Sequence, residues 1–424
     1  MKVLFVSVNT YQVNMPTLPL GLACVAAATQ RAGHHVKLID LTSPESWHAV
    51  LEKSVGDFQP DMVGVSVRNI DDQARPATQF LLARVKQVVD KCRTLTRAPV
   101  VTGGAGYSIY PESALAYLGA DVGIRGEGEA AFPALLDCIQ HERNVADVPG
   151  VYLPGRRIAV KNSFEANLDN LPFPDERLWL ASELAAEDVW IPVQTRRGCP
   201  MDCSYCSTAA IEGRARRAHS PASVVDMIER HVKAGFNKFY FTDNTFNIPS
   251  AYAGELCKGI RASGLNITWM CILYPWEMEE ALVSDMAQAG CREVSLGFES
   301  GNTEMLHRMN KKFDVHAVRR TSLLLNRYGI RQTGFLLLGG PGESRSSVAE
   351  SLAFADSLPL DTVKLAAGIR MYPHTQLARL ARVERIIEPD DDLLYPRFYL
   401  AEGLEGWLDE TVAEWMSTRP HWIQ

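Results

Sequence analysis

The sequence lacks an excess of positive charge, and it lacks apolar runs of membrane length. Its 424 residues include 43 Lys and Arg against 50 Asp and Glu, a formal net charge of −7, whereas a nucleic-acid partner would favour a basic surface. No apolar stretch approaches the ~20 residues that a membrane-spanning helix needs. The first nine residues, MKVLFVSVN, are typical of a strand and carry no small-residue cleavage site of a secretory signal. We therefore expect a cytoplasmic protein with no nucleic-acid partner and no transmembrane segment.

The cysteines do not indicate a disulfide framework. There are nine of them, and an odd number without a secretory signal is not typical of paired disulfides. Six are scattered, and we interpret them as small buried apolar side chains: Cys24, Cys92, Cys138, Cys257, Cys271 and Cys291. The remaining three, Cys199, Cys203 and Cys206, lie close together in one short segment.

The first 150 residues alternate strand and helix patterns. Short apolar runs typical of strands occur at 2–8, 35–40, 62–67 and 99–102. Such alternation predicts an α/β domain with a doubly wound (Rossmann-like) parallel sheet. Ligands of these domains bind at the carboxyl ends of the strands. The following stretch, 151–187, contains three prolines and little periodicity, so we expect a linker there.

A second alternating series occupies 188–389. Its strand patterns, with helical patterns between them, occur at 189–195, 238–242, 266–273, 293–298, 332–338 and 362–369. Six βα units predict a partial (β/α)6 barrel, whose functional residues would lie at the carboxyl ends of its strands. The remaining residues, 390–424, are rich in aromatic side chains, and we expect them to form a short helical cap.

The clustered cysteines follow the first predicted barrel strand directly, in the segment Arg196-Arg197-Gly198-Cys199-Pro200-Met201-Asp202-Cys203-Ser204-Tyr205-Cys206. Thiolates are the soft ligands that iron–sulfur clusters need. With three and two residues between the cysteines, one loop can wrap a cuboidal cluster and leave one iron open to a small chelating molecule. Zinc is the alternative, but zinc would need a fourth protein ligand, and the separation of His219 fits no common zinc spacing.

This cysteine motif resembles that of the radical S-adenosylmethionine (SAM) superfamily. Two later motifs occur in the order typical of that family: Gly297-Phe298-Glu299-Ser300-Gly301 and the glycine-rich run at 334–343. The resemblance implies that the three cysteines hold a [4Fe–4S] cluster, that its open iron binds SAM, and that reduction cleaves SAM to a 5′-deoxyadenosyl radical. The SAM contacts that it implies are Tyr205, Asp243, Glu299, Ser300, Gly339 and Gly340. Asp243 stands where the family often has Gly-Gly-Glu, a triplet that is absent here.

A doubly wound domain before such a barrel resembles the class of that superfamily with an N-terminal cobalamin (B12)-binding domain. The motifs that carry this resemblance are Pro19-Leu20-Gly21-Leu22, Gly103-Gly104-Ala105-Gly106 and Gly126-Glu127-Gly128-Glu129. The implied cobalamin contacts are Thr10, Ser66, Arg68, Asn69, Gly103, Gly104, Gly128 and Glu129. The Asp-x-His-x-x-Gly run that supplies an axial histidine in many B12 domains is absent, so Arg68, Asn69 or a water would face the lower side of the cobalt.

The resemblance implies cobalamin-dependent methylation of carbon or phosphorus in a small or lipid-like metabolite, with electrons from an external flavodoxin- or ferredoxin-like donor. Other functions stay open. One is a radical cyclase, ring-contracting enzyme or diol dehydratase of the same architecture. Another is a tRNA-modifying radical SAM enzyme, which would need a basic RNA-binding domain. A third is a B12 or SAM sensor, which would need no reducible cluster.

Overall fold

The computed structural model describes residues 1–9, 18–42, 46–75, 77–156, 164–180 and 189–423. The chain divides into two compact units. The N-terminal unit comprises Met1–Asp72, Thr78–Glu183 and Ser207–Gly213, and the barrel unit comprises Gln73–Ala77, Leu184–Cys206 and Arg214–Gln424. The N-terminal unit therefore includes most of the stretch that the sequence predicts to be a linker.

The N-terminal unit is built on a six-stranded sheet in the order β2-β1-β3-β4-β5-β6. Its strands are β1 (Lys2–Ser7), β2 (His35–Asp40), β3 (Met62–Ser66), β4 (Val100–Gly103), β5 (Val122–Ile124) and β6 (Val151–Tyr152). The first five are parallel, and β6 runs antiparallel to β5. The order 2-1-3-4-5 is that of doubly wound folds with a switch point between β1 and β3. This confirms the predicted domain type.

Helices cover both faces of this sheet because strand β1, inside the sheet, is apolar on both faces. Five of the six residues of β1 are buried, as expected for a parallel strand between two helical layers. Phe5 of this strand packs against Phe132, with ring centroids 4.9 Å apart. The α-helices of the unit are α1 (Leu20–Arg31), α2 (Trp47–Phe58), α3 (Leu82–Leu95), α4 (Ala105–Ile109), α5 (Pro111–Leu118), α6 (Gly128–Gln140), α7 (Arg177–Leu180) and α8 (Thr208–Glu212).

The barrel unit contains a seven-stranded parallel sheet in the order β17-β14-β13-β12-β11-β10-β7. The strands of the unit are β7 (Trp190–Val193), β8 (Arg196–Arg197), β9 (Arg217–Ala218), β10 (Lys238–Phe241), β11 (Thr268–Leu273), β12 (Cys291–Glu299), β13 (Arg331–Leu338), β14 (Thr362–Ala367), β15 (Ile369–Arg370), β16 (Phe398–Tyr399) and β17 (Trp422–Ile423). The six predicted barrel strands are β7 and β10 to β14, which confirms the partial (β/α)6 barrel.

Helices connect the barrel strands. They are α9 (Pro221–Lys233), α10 (Ser250–Ala262), α11 (Glu280–Gln288), α12 (Thr303–Arg308), α13 (Val315–Arg327), α14 (Arg345–Asp356), α15 (Gln376–Val383) and α16 (Trp407–Ser417). Several begin at a residue whose side chain accepts a hydrogen bond from the backbone N–H three positions later, which caps the first turn. These residues are Ser220, Asn302, Asp314, Ser344 and Thr375.

The C-terminal tail contains the predicted helix and adds a strand that the sequence analysis does not predict. It contains the helix α16, but the chain then forms β17, which pairs in parallel with β14 through Val363 and Trp422. The tail therefore extends the barrel sheet as well as covering it. Across the described part of the chain, no helix is both long enough and apolar enough to span a membrane.

Candidate functional site

The cysteine loop, Cys199–Cys206, leaves β8 at a position that only glycine fits. Gly198 has a φ of +84°, and a Cβ on it would lie 2.1 Å from the carbonyl oxygen of Ala215. A side chain there would therefore meet both backbone strain and a direct clash. Within the loop, Cys199 is buried, Cys203 is half-buried and Cys206 is exposed.

A buried carboxylate holds the entrance of the cysteine loop. Asp243 follows β10, and its Oδ1 accepts hydrogen bonds from the backbone N–H groups of Thr195 at 2.7 Å and Arg196 at 2.9 Å. Its Oδ2 accepts from the Thr195 hydroxyl at 2.6 Å and the Arg196 guanidinium at 3.3 Å. Both partners of the ion pair are buried, at 6% and 2% side-chain exposure. The Asp243 carboxylate thus has four partners at the entrance of the cysteine loop, and its predicted SAM contact stays a prediction.

Two later segments of the chain hold the middle of the cysteine loop in place. Ser204 donates its backbone N–H to the carbonyl of Met309 at 3.1 Å, and its own carbonyl accepts from the Leu377 N–H at 2.9 Å. The side-chain amide of Asn310 donates to the carbonyl of Asp202 at 2.7 Å. The loop is therefore fixed by segments that follow β12 and β15, although the sequence separation exceeds one hundred residues.

Glu299 and Tyr205, both predicted SAM contacts, share one neighbour in the structure. Glu299 ends β12 with a φ of +64°, which is an uncommon conformation for a residue with a side chain. Its Oε1 accepts a hydrogen bond from the Lys311 ammonium at 3.1 Å. The same ammonium lies 5.4 Å from the ring centroid of Tyr205. The structure therefore brings these two candidates together around a lysine that lies outside the sequence motifs.

Ser300, the next predicted SAM contact, lies in the interior. Its hydroxyl is 2.9 Å from that of Ser351 and accepts a hydrogen bond from the Asn302 N–H at 3.1 Å. Its side chain is fully buried. These contacts indicate a structural role at the junction between β12 and α12.

The glycine-rich run after β13 turns around a buried carboxyl group. Gly339 and Gly340 both donate their backbone N–H groups to Oε2 of Glu343, the second at 3.0 Å. The other oxygen, Oε1, is buried without a hydrogen-bond partner among the described residues. Burial raises the pKa of Glu343 from 4.5 to about 7, and the two backbone hydrogen bonds partly oppose this shift. Gly339 itself has a φ of +95°, which favours glycine.

We expect the Glu343→Gln variant to reduce the pH dependence of the free energy of unfolding. Because the folded-state pKa is raised, the folded protein binds the proton more tightly than the unfolded chain does. Stability is therefore lost as the pH rises from about 4.5 to 7, by about 3 kcal/mol at most. Glutamine keeps an acceptor for both N–H groups but does not ionise. Denaturant unfolding at pH 5 and pH 8 measures how much the free energy of unfolding changes between the two pH values, with Glu402→Gln at an exposed position as the control. An equal change in the wild type and in E343Q would contradict the prediction.

In the N-terminal unit, several candidate residues gather at the switch point between β1 and β3. Ser66 ends β3, and Arg68 and Asn69 follow it after Val67. Thr10 lies outside the described residues. Gly103 ends β4, and Gly104 begins the next loop with a φ of +106°; a Cβ on it would lie 2.6 Å from the carbonyl oxygen of Val67. Gly104 thus lets the loop after β4 pack on the loop after β3.

Gly128 and Glu129 begin α6, where glycine serves helix packing. A Cβ on Gly128 would lie 2.7 Å from a methyl group of Val25 on α1. Glu129 is buried in the first turn of α6. The close packing of α6 against α1 is sufficient to explain why a glycine occurs at position 128.

Two family models match the chain, one in each unit. The model of the Radical SAM superfamily matches residues 193–355, which include the cysteine loop, and the model of the B12 binding domain matches residues 6–136. The chain is a radical SAM enzyme with a B12-binding domain. Its cofactors are accordingly a [4Fe–4S] cluster, SAM and cobalamin.

Several relatives match this radical SAM enzyme over most of its length. It is 26% identical over 375 residues to an uncharacterized methyltransferase of Pyrococcus horikoshii, covering 87% of this chain and 79% of the relative. It is 24% identical over 439 residues to the tryptophan 2-C-methyltransferase of Streptomyces laurentii, covering 88% and 73%. A radical S-adenosylmethionine methyltransferase of Kitasatospora setae, solved with cobalamin and a [4Fe–4S] cluster, is 25% identical with a TM-score of 0.79 over 90% of this chain and 75% of that chain.

The chemistry of the cysteine loop of this radical SAM enzyme fits an iron–sulfur cluster, because its three thiolates are the soft ligands that such clusters take. Burial raises the pKa of Cys203 to about 11, and Lys311 opposes this shift, so iron must displace the thiol proton when it binds.

The N-terminal unit also fits a polar ligand at the carboxyl edge of its sheet. Ser66 ends β3, and Arg68 and Asn69 lie within three residues of it. The unit therefore offers polar groups where a doubly wound domain binds its ligand.

Proposed function

We propose that this radical SAM enzyme methylates carbon or phosphorus in a small or lipid-like metabolite, with cobalamin as its second cofactor. The observation that carries the proposal is that one chain joins a three-thiolate loop to a doubly wound unit with candidate ligand loops at its switch point. The relatives named as methyltransferases support methyl transfer, and one of them is named for C-2 of tryptophan.

In the barrel unit, the three thiolates of Cys199, Cys203 and Cys206 would hold the cluster. When bound, the cluster supplies the electron for reductive cleavage of SAM. We propose that Glu299, held by Lys311, accepts hydrogen bonds from the ribose hydroxyls and that Tyr205 packs near the adenine. The Gly339–Gly340 backbone would approach the adenine. The described contacts of Asp243 and Ser300 favour structural roles, so SAM contacts by these two are the weaker part of the proposal.

In the N-terminal unit, Ser66, Arg68, Asn69, Gly103 and Gly104 would line the corrin site, together with Thr10. When bound, cobalamin supplies the methyl group for transfer. The histidines His34 and His35 lie at the turn between α1 and β2, which is the amino edge of the sheet and not the edge of the switch point. We therefore propose that Arg68, Asn69 or a water faces the lower side of the cobalt.

We also propose an external electron donor of the flavodoxin or ferredoxin type and a cytoplasmic location. The cluster must be reduced before SAM is cleaved, and a soluble one-electron protein is the class of reductant that can do this. The three thiols must stay reduced to bind iron, which the cytosol favours.

Labelled SAM tests the proposed function without a known substrate. The protein is reconstituted anaerobically with iron, sulfide and hydroxocobalamin, and then incubated with methyl-labelled SAM and dithionite. We expect retained corrin, formation of 5′-deoxyadenosine and transfer of label from SAM to the bound corrin. Failure to retain corrin, or corrin without label, would contradict methyl transfer. Formation of 5′-deoxyadenosine without labelled corrin would favour a non-methylating radical enzyme of the same architecture.

A further inference from the structure

Lys311 is a buried cation in the barrel unit. Its side chain is 4% exposed, and its ammonium lies 3.1 Å from the Glu299 carboxylate. The rings of Tyr205, Tyr274 and Phe313 surround the ammonium, with their centroids at 5.4, 5.5 and 5.8 Å. Burial of a charged group costs several kcal/mol unless partners compensate. A carboxylate and three aromatic faces are such partners, so this environment stabilises the charged form of the lysine.

The position of this cation is fixed relative to the cysteine loop. Lys311 lies in a turn whose preceding residue, Asn310, donates its side-chain amide to the carbonyl of Asp202 at 2.7 Å. The next residue, Lys312, donates its backbone N–H to the Tyr274 hydroxyl at 3.0 Å. The ring beside the ammonium, Tyr205, lies between Cys203 and Cys206 in the sequence. The turn and the loop are therefore held together, and the ammonium is held next to the loop.

A fixed cation at this place would affect the charge balance of the cluster. A [4Fe–4S] cluster held by three thiolates is an anion, and it gains a further negative charge when one electron reduces it. A nearby positive charge stabilises the reduced form more than the oxidised form, and net charge is one of the factors that set the potential of these clusters. Solvent screens this interaction little when the cation is buried.

We propose that Lys311 is a positioning residue whose buried positive charge raises the reduction potential of the cluster and so makes the enzyme reducible by its electron donor. This inference rests on the proposed function, in which Cys199, Cys203 and Cys206 hold the cluster. Glu299 and the three rings keep the ammonium in place, and Lys311 itself does not bind iron.

The test is a reduction titration of the reconstituted protein with dithionite, without SAM, followed by electron paramagnetic resonance. We expect Lys311→Met and Lys311→Gln to shift the equilibrium at least tenfold toward the oxidised cluster, a fall of about 59 mV for one electron. Lys311→Arg, which keeps the charge, should stay near wild type. Lys312→Met is the matched control, because it removes one positive charge from the adjacent exposed residue and should leave the potential nearly unchanged.

The outcomes separate charge from shape and from SAM binding. An unchanged reduction potential in K311M or K311Q with a full iron content would overturn the inference. Weaker SAM binding by either variant would not alter that conclusion. If neither neutral variant retains iron, retention in K311R would support a requirement for positive charge, and loss in all three would overturn it. A wild-type protein that takes up no cluster would instead refute the ligand set of the proposed function.

Discussion

Replacing Cys203 with alanine will abolish the [4Fe–4S] cluster and the formation of 5′-deoxyadenosine, reducing both to background. The cysteine loop supplies three thiolates in one short segment. Removing one thiolate leaves a corner iron of the cluster without its protein ligand. Iron and sulfide analysis, visible absorbance and product analysis after dithionite reduction measure the two effects.

Cys138→Ala is the matched control for this variant. Cys138 is also half-buried, but it lies on α6 in the N-terminal unit, away from the cysteine loop in sequence. We expect C138A to keep its iron, its absorbance and its production of 5′-deoxyadenosine. A C203A protein with wild-type iron content would contradict the assignment of the ligands. Stoichiometric zinc in the wild type after reconstitution with both metals would favour the zinc site.

The regular elements could be predicted because their sequence patterns are long and periodic. The strand at Lys238–Phe241 alternates buried and half-buried residues, and β1 is an almost continuous apolar run. Short additions could not be predicted. β6 and β17 are two residues long, and only tertiary pairing distinguishes such segments from loop. The same applies to Gln73–Ala77, which belongs to the barrel unit although the chain on both sides of it belongs to the N-terminal unit.

The candidate site could be predicted only where the residue type and its spacing indicate a particular chemistry. Cysteine spacing indicates a cluster, but Lys311 lies in a polar turn, Met309–Lys312, that resembles solvated surface in sequence. Its burial results from the packing of Tyr205, Tyr274 and Phe313, which come from three separate segments. The sequence motifs predict Gly104 and Gly128 as cofactor contacts, and in the structure each of them also allows close contact with another part of the protein. Sequence alone cannot distinguish a glycine that approaches a ligand from one that approaches its own fold.

Asp243→Ala will destabilise the barrel unit by about 3–5 kcal/mol, the usual cost of removing one partner of a buried ion pair. The change leaves the Arg196 guanidinium buried without its carboxylate, although it keeps hydrogen bonds to the carbonyls of Phe246 and Ile248. It also leaves the N–H groups of Thr195 and Arg196 without acceptors. These groups lie at the entrance of the cysteine loop, so we expect weaker cluster retention as well. Denaturant unfolding and the rate of iron loss to a chelator measure the two effects.

Asp285→Ala provides the matched control, because Asp285 also pairs with an arginine, Arg261, at 3.0 Å, but both side chains of that pair are partly exposed. A solvent-accessible pair contributes only about 0–1 kcal/mol. We therefore expect D285A to keep nearly the wild-type free energy of unfolding and nearly the wild-type rate of iron loss. Thr195→Val removes only the hydrogen bond from the Thr195 hydroxyl to Asp243 and keeps the ion pair with Arg196. It therefore measures the contribution of that hydrogen bond separately from that of the ion pair. If Asp243 instead contacts SAM, as its position in the sequence predicts, D243A will weaken SAM binding while stability and iron retention stay unchanged. Loss of stability and of iron with unaltered SAM affinity in the remaining holoenzyme would assign Asp243 to the architecture of the cysteine loop.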